Sequence, residues 1–449
     1  APIKDARVLG KPKMLILGLQ HMFAMFGATV LVPILVQSYG LPLNTQTTLF
    51  FAGFGTLFFH FCTKLKVPAF LGSSFAFLGG FSAMAELSSG MYATMEPSEK
   101  LQYACGGIVI AGLLYVILAA IIKAVGVHRV MHFLPPVVTG PIIILIGLNL
   151  APSAVSNASS CWWLALVSMA IIIVANIWGR GMIKIIPILL GVVGGYVVAL
   201  CAGMVDFSGF AGSSLLTGEN AVLGLQPFLK NFSGSVAKFD LTAILVMAPI
   251  AVASMMEHIG DVSAISATVG ENFIEDPGLH RTLIGDGVAT ALAGLFGGPA
   301  NTTYGENTGV LVLSRVHDPR VVRLAAIYAI ILSFSPAFAH LVNTIPSAII
   351  GGVSFILYGM ISAIGVRNVV ENHVDFTNSR NLIIAAVILV CGLGFTDGLT
   401  FQIGAASITL TSLAIAAIAG IVLNAILPGN DFYLGKSASG DDAGSLGKY

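Results

Sequence analysis

Four acidic side chains, Glu257, Asp261, Asp286 and Glu306, stand inside stretches that are otherwise apolar enough to cross a bilayer. Every other Asp and Glu lies in the tails or in polar connections. A carboxylate at membrane depth costs from about 3 to more than about 10 kcal/mol, depending on how far the bilayer relaxes around it. Such a group binds a ligand, exchanges a proton, or lines a path along which something moves. Glu257 and Asp261 are four apart and share one helix face. A carboxyl held out of water beside a second one resists ionisation, so Glu257 is expected to carry a proton near neutral pH. Glu306, as a carboxylate, can accept N–H bonds but donate none. These types point to binding and proton exchange. No nucleophile–base pair or metal-ligand cluster accompanies them, which argues against an intramembrane enzyme.

Neighbouring residues carry less specific readings. Asp261 is a coupling residue, or the partner of a nearby hydroxyl or of His258. Asp286, in Ile284-Gly285-Asp286-Gly287, is a third proton-coupling group or a tie between its span and the rest. His21 and His60 read as satisfied packing histidines. Trp162, Trp163 and Trp178 read as interface anchors.

The elements that position these acids are membrane spans. The chain is 56% hydrophobic and only 9% charged, with a mean hydropathy of +0.92, whereas soluble domains carry about 25% charged residues. A formal net charge of zero offers no field for nucleic acid. Cys62, Cys105, Cys161, Cys201 and Cys391 form no CxxC pair, so no metal, redox group or other cofactor is expected. At about 20 apolar residues per span, fourteen spans are predicted near 14–38, 45–63, 69–85, 101–123, 130–150, 161–179, 185–204, 241–266, 280–297, 299–314, 321–341, 345–366, 381–396 and 404–427. No cleavable signal is read ahead of the first. With that count, every Lys and Arg except Lys100, Lys230 and Lys238 falls on the side of the N-terminus. The positive-inside rule then makes both termini cytoplasmic.

Two segments do not read as ordinary helices. Residues 68–77 open on Pro68-Ala69 and continue through Gly72-Ser73-Ser74 with alternating aromatics. Residues 297–307 open on Gly297-Gly298-Pro299-Ala300 and are more polar still. Extended backbone in lipid leaves N–H and C=O groups unpaired, so the two are expected to pair as short antiparallel strands. Broken spans in matching positions of two halves point to a carrier's midplane site. The halves match elsewhere too: Leu134-Pro135-Pro136 with Ile345-Pro346, and Gln20-His21 with Glu257-His258. Seven spans per half makes the repeat inverted.

At these residues the chain resembles the nucleobase–ascorbate transporters, also called nucleobase:cation symporter-2, and within them the bacterial uracil permeases. The resemblance runs from Gln20-His21 through Gly404-Ala405-Ala406. It is carried by Gln20–Thr29, Gly72–Phe77, Asp276–Arg281 and Pro299–Asn307. The family signature is met by Glu306-Asn307-Thr308-Gly309 through Ser314-Arg315, with Ser314 where Thr is usual.

The resemblance implies an all-α polytopic fold of fourteen spans with short strands in spans 3 and 10. It implies a core domain (1–125 and 241–342) moving against a gate domain (126–205 and 343–428), a connection over 206–240 outside the membrane, and a cytoplasmic tail over 429–449. Substrate contacts carry over to Glu257, Glu306, Phe75 and Gly305, with Tyr358 closing the pocket from the gate; Tyr304, between Thr303 and Gly305, is also expected to touch substrate. Proton coupling is expected at Glu257, Asp261 and Asp286, although Asp261 departs from the family, many uracil members having His there. The activity implied is proton-coupled uracil import across the cytoplasmic membrane, with Na⁺ not excluded as coupling ion, by a homodimer. A purine (xanthine or urate) carrier of the same fold and a passive facilitator are the alternatives.

Overall fold

The computed structural model describes residues 1–208, 222–224, 236–404 and 406–430. Most of the expected connection over 206–240, and the tail from 431 onward, lie outside the described residues. The first half runs α1 (Lys11–Ser38), α2 (Thr45–Cys62), β1 (Leu71–Ser73), α3 (Leu78–Glu86), α4 (Pro97–Val125), α5 (Val127–Phe133), α6 (Pro136–Ala158), α7 (Trp162–Trp178), α8 (Met182–Ile185) and α9 (Pro187–Cys201). The second half runs α10 (Leu241–Met247), α11 (Ile250–Val269), α12 (Leu279–Leu295), β2 (Asn301–Thr303), α13 (Gly305–Ser314), α14 (Pro319–Ser333), α15 (Pro336–Asn343), α16 (Ser347–Glu371), α17 (Ser379–Gly394), β3 (Leu399–Ile403), β4 (Ala406–Leu410) and α18 (Ser412–Ile426).

Local chemistry sets the helix starts. Pro97, Pro136, Pro187, Pro319 and Pro336 each occupy a first turn, where a missing N–H is harmless. Asn44, Asp240, Asp318, Ser335, Asn378 and Thr411 accept first-turn N–H bonds as side-chain caps. Pro135-Pro136 also moves a boundary: the span expected over 130–150 is α6, which begins only at Pro136 and runs to Ala158.

Among the described residues, five helical stretches are long and apolar enough to cross a membrane unaided: α1, α4, α6, α10 with α11, and α16. The α14–α15 pair passes the same test but bends by 83° at its break. The helices α7, α9, α17 and α18 are apolar but shorter. Helix length alone therefore does not return fourteen spans. A second departure lies before α18. The segment expected to open a span at 404 is the end of an antiparallel hairpin, β3 on β4 with Leu399 opposite Leu410. Its polar–apolar alternation, Leu399-Thr400-Phe401-Gln402-Ile403, has the period of a strand, and Gly404 turns it at φ +62°.

The helices sort into two packed groups. In one, α16 lies along α6, with α7, α9, α17 and α18 around them. In the other, α12 lies on α4 and α2, while α14 packs on α2 and α1. Close approach uses glycine, as in membrane bundles generally. A methyl at Gly287 would lie 2.7 Å from the Gly112 carbonyl oxygen between α12 and α4. One at Gly365 would lie 2.7 Å from the Gly140 carbonyl oxygen between α16 and α6.

The strands β1 and β2 meet inside the second group. They pair antiparallel, Leu71 with Thr303 and Ser73 with Asn301, and all six residues are buried. Two further bonds extend the ladder, Ser74 N–H to Ala300 O at 2.8 Å and Tyr304 N–H to Phe70 O at 2.9 Å. The outer edges, which lipid could not satisfy, are met by threonines of the preceding helices. Thr56 of α2 accepts from Leu71 N–H at 2.9 Å. Thr290 of α12 accepts from Asn301 N–H at 3.2 Å and donates to its carbonyl. His60 adds a bond from Nε2 to Ala69 O at 2.7 Å. The same device thus serves both strands.

Candidate functional site

Each strand leads directly into a helix, β1 through Phe75 to α3 and β2 through Tyr304 to α13. Because the strands are antiparallel, the two helix N-termini approach the crossing from opposite ends. Among the described residues, the N–H groups of Phe75 and Gly305 have no hydrogen-bond partner. That of Asn307, in the first turn of α13, has no backbone acceptor either, while that of Glu306 meets its own carboxyl. Unpaired amides and the helix dipole together make a donor-rich, electropositive place.

Acids face this place from two elements. Glu257 and Asp261 on α11, Glu306 on α13 and the Phe75 ring are half-buried, and Gly260 and Gly305 are exposed. A methyl at Gly260 or Gly305 would meet no atom within 4 Å. These groups border open space rather than packed core. Glu257 lies within coulombic reach of Asp261, Glu306 and Asp286, and Asp261 of Glu306 and Asp286. The structure thus brings the four acids into one electrostatic neighbourhood.

Their bonding separates them. Asp261 receives the Thr303 hydroxyl at 2.7 Å, which ties α11 to the end of β2. His258 does not partner Asp261. It turns to α12, with Nδ1 2.7 Å from Asp286 Oδ2 and Nε2 3.0 Å from Thr282 Oγ1. Both His258 and Asp286 are 0% exposed. The Thr282 hydroxyl also lies 3.0 Å from Leu279 O, and the imidazole bridges the Asp286 carboxyl on α12 and a hydroxyl one turn before it. The Phe59 and Tyr115 rings stand edge-on to this imidazole, and the Tyr115 hydroxyl bonds that of Ser254.

Two residues bond differently from what the sequence alone suggests. Tyr304, expected as a substrate contact, donates its hydroxyl to Ser73 O at 2.7 Å, accepts from Thr29 at 3.1 Å, and is 3% exposed. With its N–H committed to Phe70, both its polar hydrogens are used inside the protein; it fixes β1 to α1. His21 is only half satisfied: Asn307 donates to Nδ1 at 3.2 Å, while the buried Nε2 and the Asn307 carbonyl oxygen have no partner among the described residues. His60 is the packing histidine expected, bonded to Ala69 O and approached by Arg323 at 3.3 Å.

Tyr358, on α16, is 2% exposed, and its hydroxyl lies 2.7 Å from that of Tyr39 just after α1. This contact joins the two helix groups at the end of α1 remote from the N-terminus. Towards the other end, a cavity of about 290 Å³ separates the groups. Glu306 and Gly27 line it from one side; Asn176, Lys184, Leu189 and Met360 line it from the other. Glu257, Phe75, Tyr304, Gly305 and Tyr358 do not line this cavity. Thr56, Thr290, Thr282 and Thr303 went unread in the sequence. The signal for the first two is a threonine at a similar offset ahead of each irregular segment.

Comparison with known proteins gives the family and the fold. The pattern defining the permease family Xan_ur_permease matches residues 12–401. The uracil permease of Bacillus caldolyticus is 41% identical over 436 residues, covering 95% of this chain and 94% of that protein. The uracil permease of Escherichia coli (strain K12) is 36% identical over 421 residues, covering 91% and 90%. In fold, the chain resembles the transmembrane domain of the cyanobacterial bicarbonate transporter BicA, with TM-score 0.58, 17% identity and coverage of 88% and 98%. It also resembles the murine SLC26A9 anion transporter, with TM-score 0.63, 10% identity and coverage of 92% and 67%. The chain belongs to the xanthine/uracil permease family, nucleobase:cation symporter-2, and is a multi-pass membrane permease, not an enzyme.

Proposed function

We propose that this permease imports uracil with a proton by alternating access. The observation that carries the reading is the pairing of unpartnered N–H groups, at Phe75 and Gly305, with half-buried acids at Glu257 and Glu306 around one strand crossing. Uracil is flat, with two ring N–H donors and two carbonyl acceptors. The Glu306 carboxylate accepts from ring N–H, while Gly305 N–H, Phe75 N–H and a protonated Glu257 donate to the carbonyls. Proton and substrate then favour the same loaded state, which is symport. Asp261 relays between Glu257 and the strand through Thr303, and Asp286 holds the proton it shares with His258 behind them.

The two helix groups correspond to the core and gate domains with the boundaries expected above. The matched roles of Thr56 and Thr290 support two inverted repeats of seven spans. The basic residues support cytoplasmic termini. The Tyr39–Tyr358 contact closes the outer side, and the cavity at Glu306 opens the inner one, in keeping with an inward-open state. The relatives named uracil permease, at 41% identity, favour uracil over a purine; assembly as a homodimer through the gate is part of the same reading.

The test is uptake of labelled uracil into proteoliposomes under an imposed inward proton gradient, with a Na⁺ gradient as the control and xanthine and urate as competitors. Accumulation that follows the proton gradient and yields only to uracil supports the reading. Uptake that equilibrates without accumulating refutes symport and leaves a facilitator.

A further inference from the structure

We propose that Lys184 is the release-side counter-ion of Glu306: in the unloaded carrier its ammonium replaces substrate at the carboxylate and lets the empty protein return. The inference rests on the transport reading above. The 290 Å³ cavity lies between the two helix groups, and only three of the side chains lining it, Glu306, Asn176 and Lys184, end in polar groups. Glu306 stands within coulombic reach of the carboxyl groups of Glu257 and Asp261. Among the described residues neither Glu306 nor Lys184 makes an ion pair in this state.

Substrate departure removes the ring N–H partners of Glu306 and leaves it only its own backbone N–H. A carboxylate left alone in an apolar wall is hard to carry through closure. Lysine, with a point charge on a flexible four-carbon stem, is suited to reach across a gap of this kind. Its place in the fold fits the task. Lys184 sits on α8, immediately before α9, and α9 touches α1 where a methyl at Gly27 would lie 3.0 Å from the Leu189 backbone nitrogen. α8 already lies against α13, so the Lys184 side chain need only swing within the cavity to meet Glu306. Asn176, on the same wall, offers an amide that can bond the Glu306 carboxylate on the way.

The experiment compares Lys184→Gln and Lys184→Arg with the wild type in proteoliposomes. Exchange of external for internal uracil needs only the loaded carrier; net uptake also needs the empty one to return. Lys184→Gln is expected to bind uracil within about twofold of wild type, to exchange it normally, and to slow net uptake by about tenfold or more. Lys184→Arg, which keeps the charge, restores net uptake. Because Lys184 is exposed, the melting temperature stays at the wild-type value. Net uptake by Lys184→Gln at the wild-type rate overturns the inference, as does a parallel loss of exchange and net uptake. A wild type that neither binds nor exchanges uracil overturns instead the reading on which it rests.

Discussion

Replacing Tyr304 by Phe separates a strand-fixing residue from a ligand contact. The substitution removes one oxygen. In the wild type that oxygen donates to Ser73 O at 2.7 Å and accepts from Thr29 Oγ1 at 3.1 Å, at a site 3% exposed. The Thr29 hydroxyl can rotate towards its own helix, so the loss falls on the Ser73 carbonyl. A buried polar group left unsatisfied costs about 1–3 kcal/mol, and the interval is packed, since a methyl at Gly72 would run into the Tyr304 ring and lie 2.7 Å from Thr29 Oγ1. At about 2–4 °C per kcal/mol for chains of some 200 residues, and less for longer ones, the melting temperature should fall by about 2–6 °C. The unpartnered N–H groups of Phe75 and Gly305 are untouched, so uracil affinity should drop by less than about threefold. Thermal unfolding in detergent, with equilibrium binding of labelled uracil on the same preparation, measures both. An unchanged melting temperature with a tenfold loss of affinity would refute the reasoning and return Tyr304 to the ligand.

Three further outcomes follow from the same geometry. Glu306→Gln should weaken uracil binding by about tenfold or more, since a charge-assisted acceptor worth about 1.5–3 kcal/mol becomes an amide whose donors face ring N–H; unchanged affinity in purified protein removes Glu306 from the site. Glu257→Gln keeps a donor for a carbonyl but cannot release a proton, so it should bind uracil while losing proton-driven accumulation; undiminished uphill uptake by this variant counts against coupling there. Asp318→Asn should loosen the N-terminal segment, because Asp318 accepts the buried Ala6 N–H at 2.7 Å and an Arg320 bond at 3.1 Å. The expected loss is about 1 kcal/mol, read as a lower melting temperature and faster trypsin cleavage at Arg7; unaltered cleavage would show that Ile3, bonded to Arg315 and His317, holds the segment alone.

The acids and the strand pair were legible in the sequence because both are exceptions to what lipid tolerates. A carboxyl in an apolar stretch and a Pro-Ala-initiated segment in place of a helix each demand a partner, and the partner can be named from chemistry. What was not legible depends on direction. Tyr304 adjoins the crossing in sequence, but the path of α1 past Ser73 decides that its hydroxyl turns to Thr29. His258 lies three residues from Asp261, close enough on a helix to suggest a pair, yet the packing of α12 against α11 sends it to Asp286 and Thr282. The hairpin before α18 was masked by an apolar content that also suits a span. Lys184 read only as a cytoplasmic loop cation, since nothing local says that a short helix carries it to a cavity beside Glu306.

Fold alone does not set the cargo. Two helix N-termini aimed at one crossing form a place that suits negative charge. In this chain Glu306 stands in the first turn of one of those helices, and Glu257 and Asp261 are within coulombic reach of it. The positive end of α13 is thus occupied by an internal carboxylate. An inorganic anion entering there would meet that charge and two more acids, with no cation paired to any of them among the described residues. A neutral ring that offers N–H to the carboxylate and C=O to the free amides meets no such repulsion. On the proposed reading, the side chains placed on these helix ends suit the crossing to an uncharged, hydrogen-bonding heterocycle.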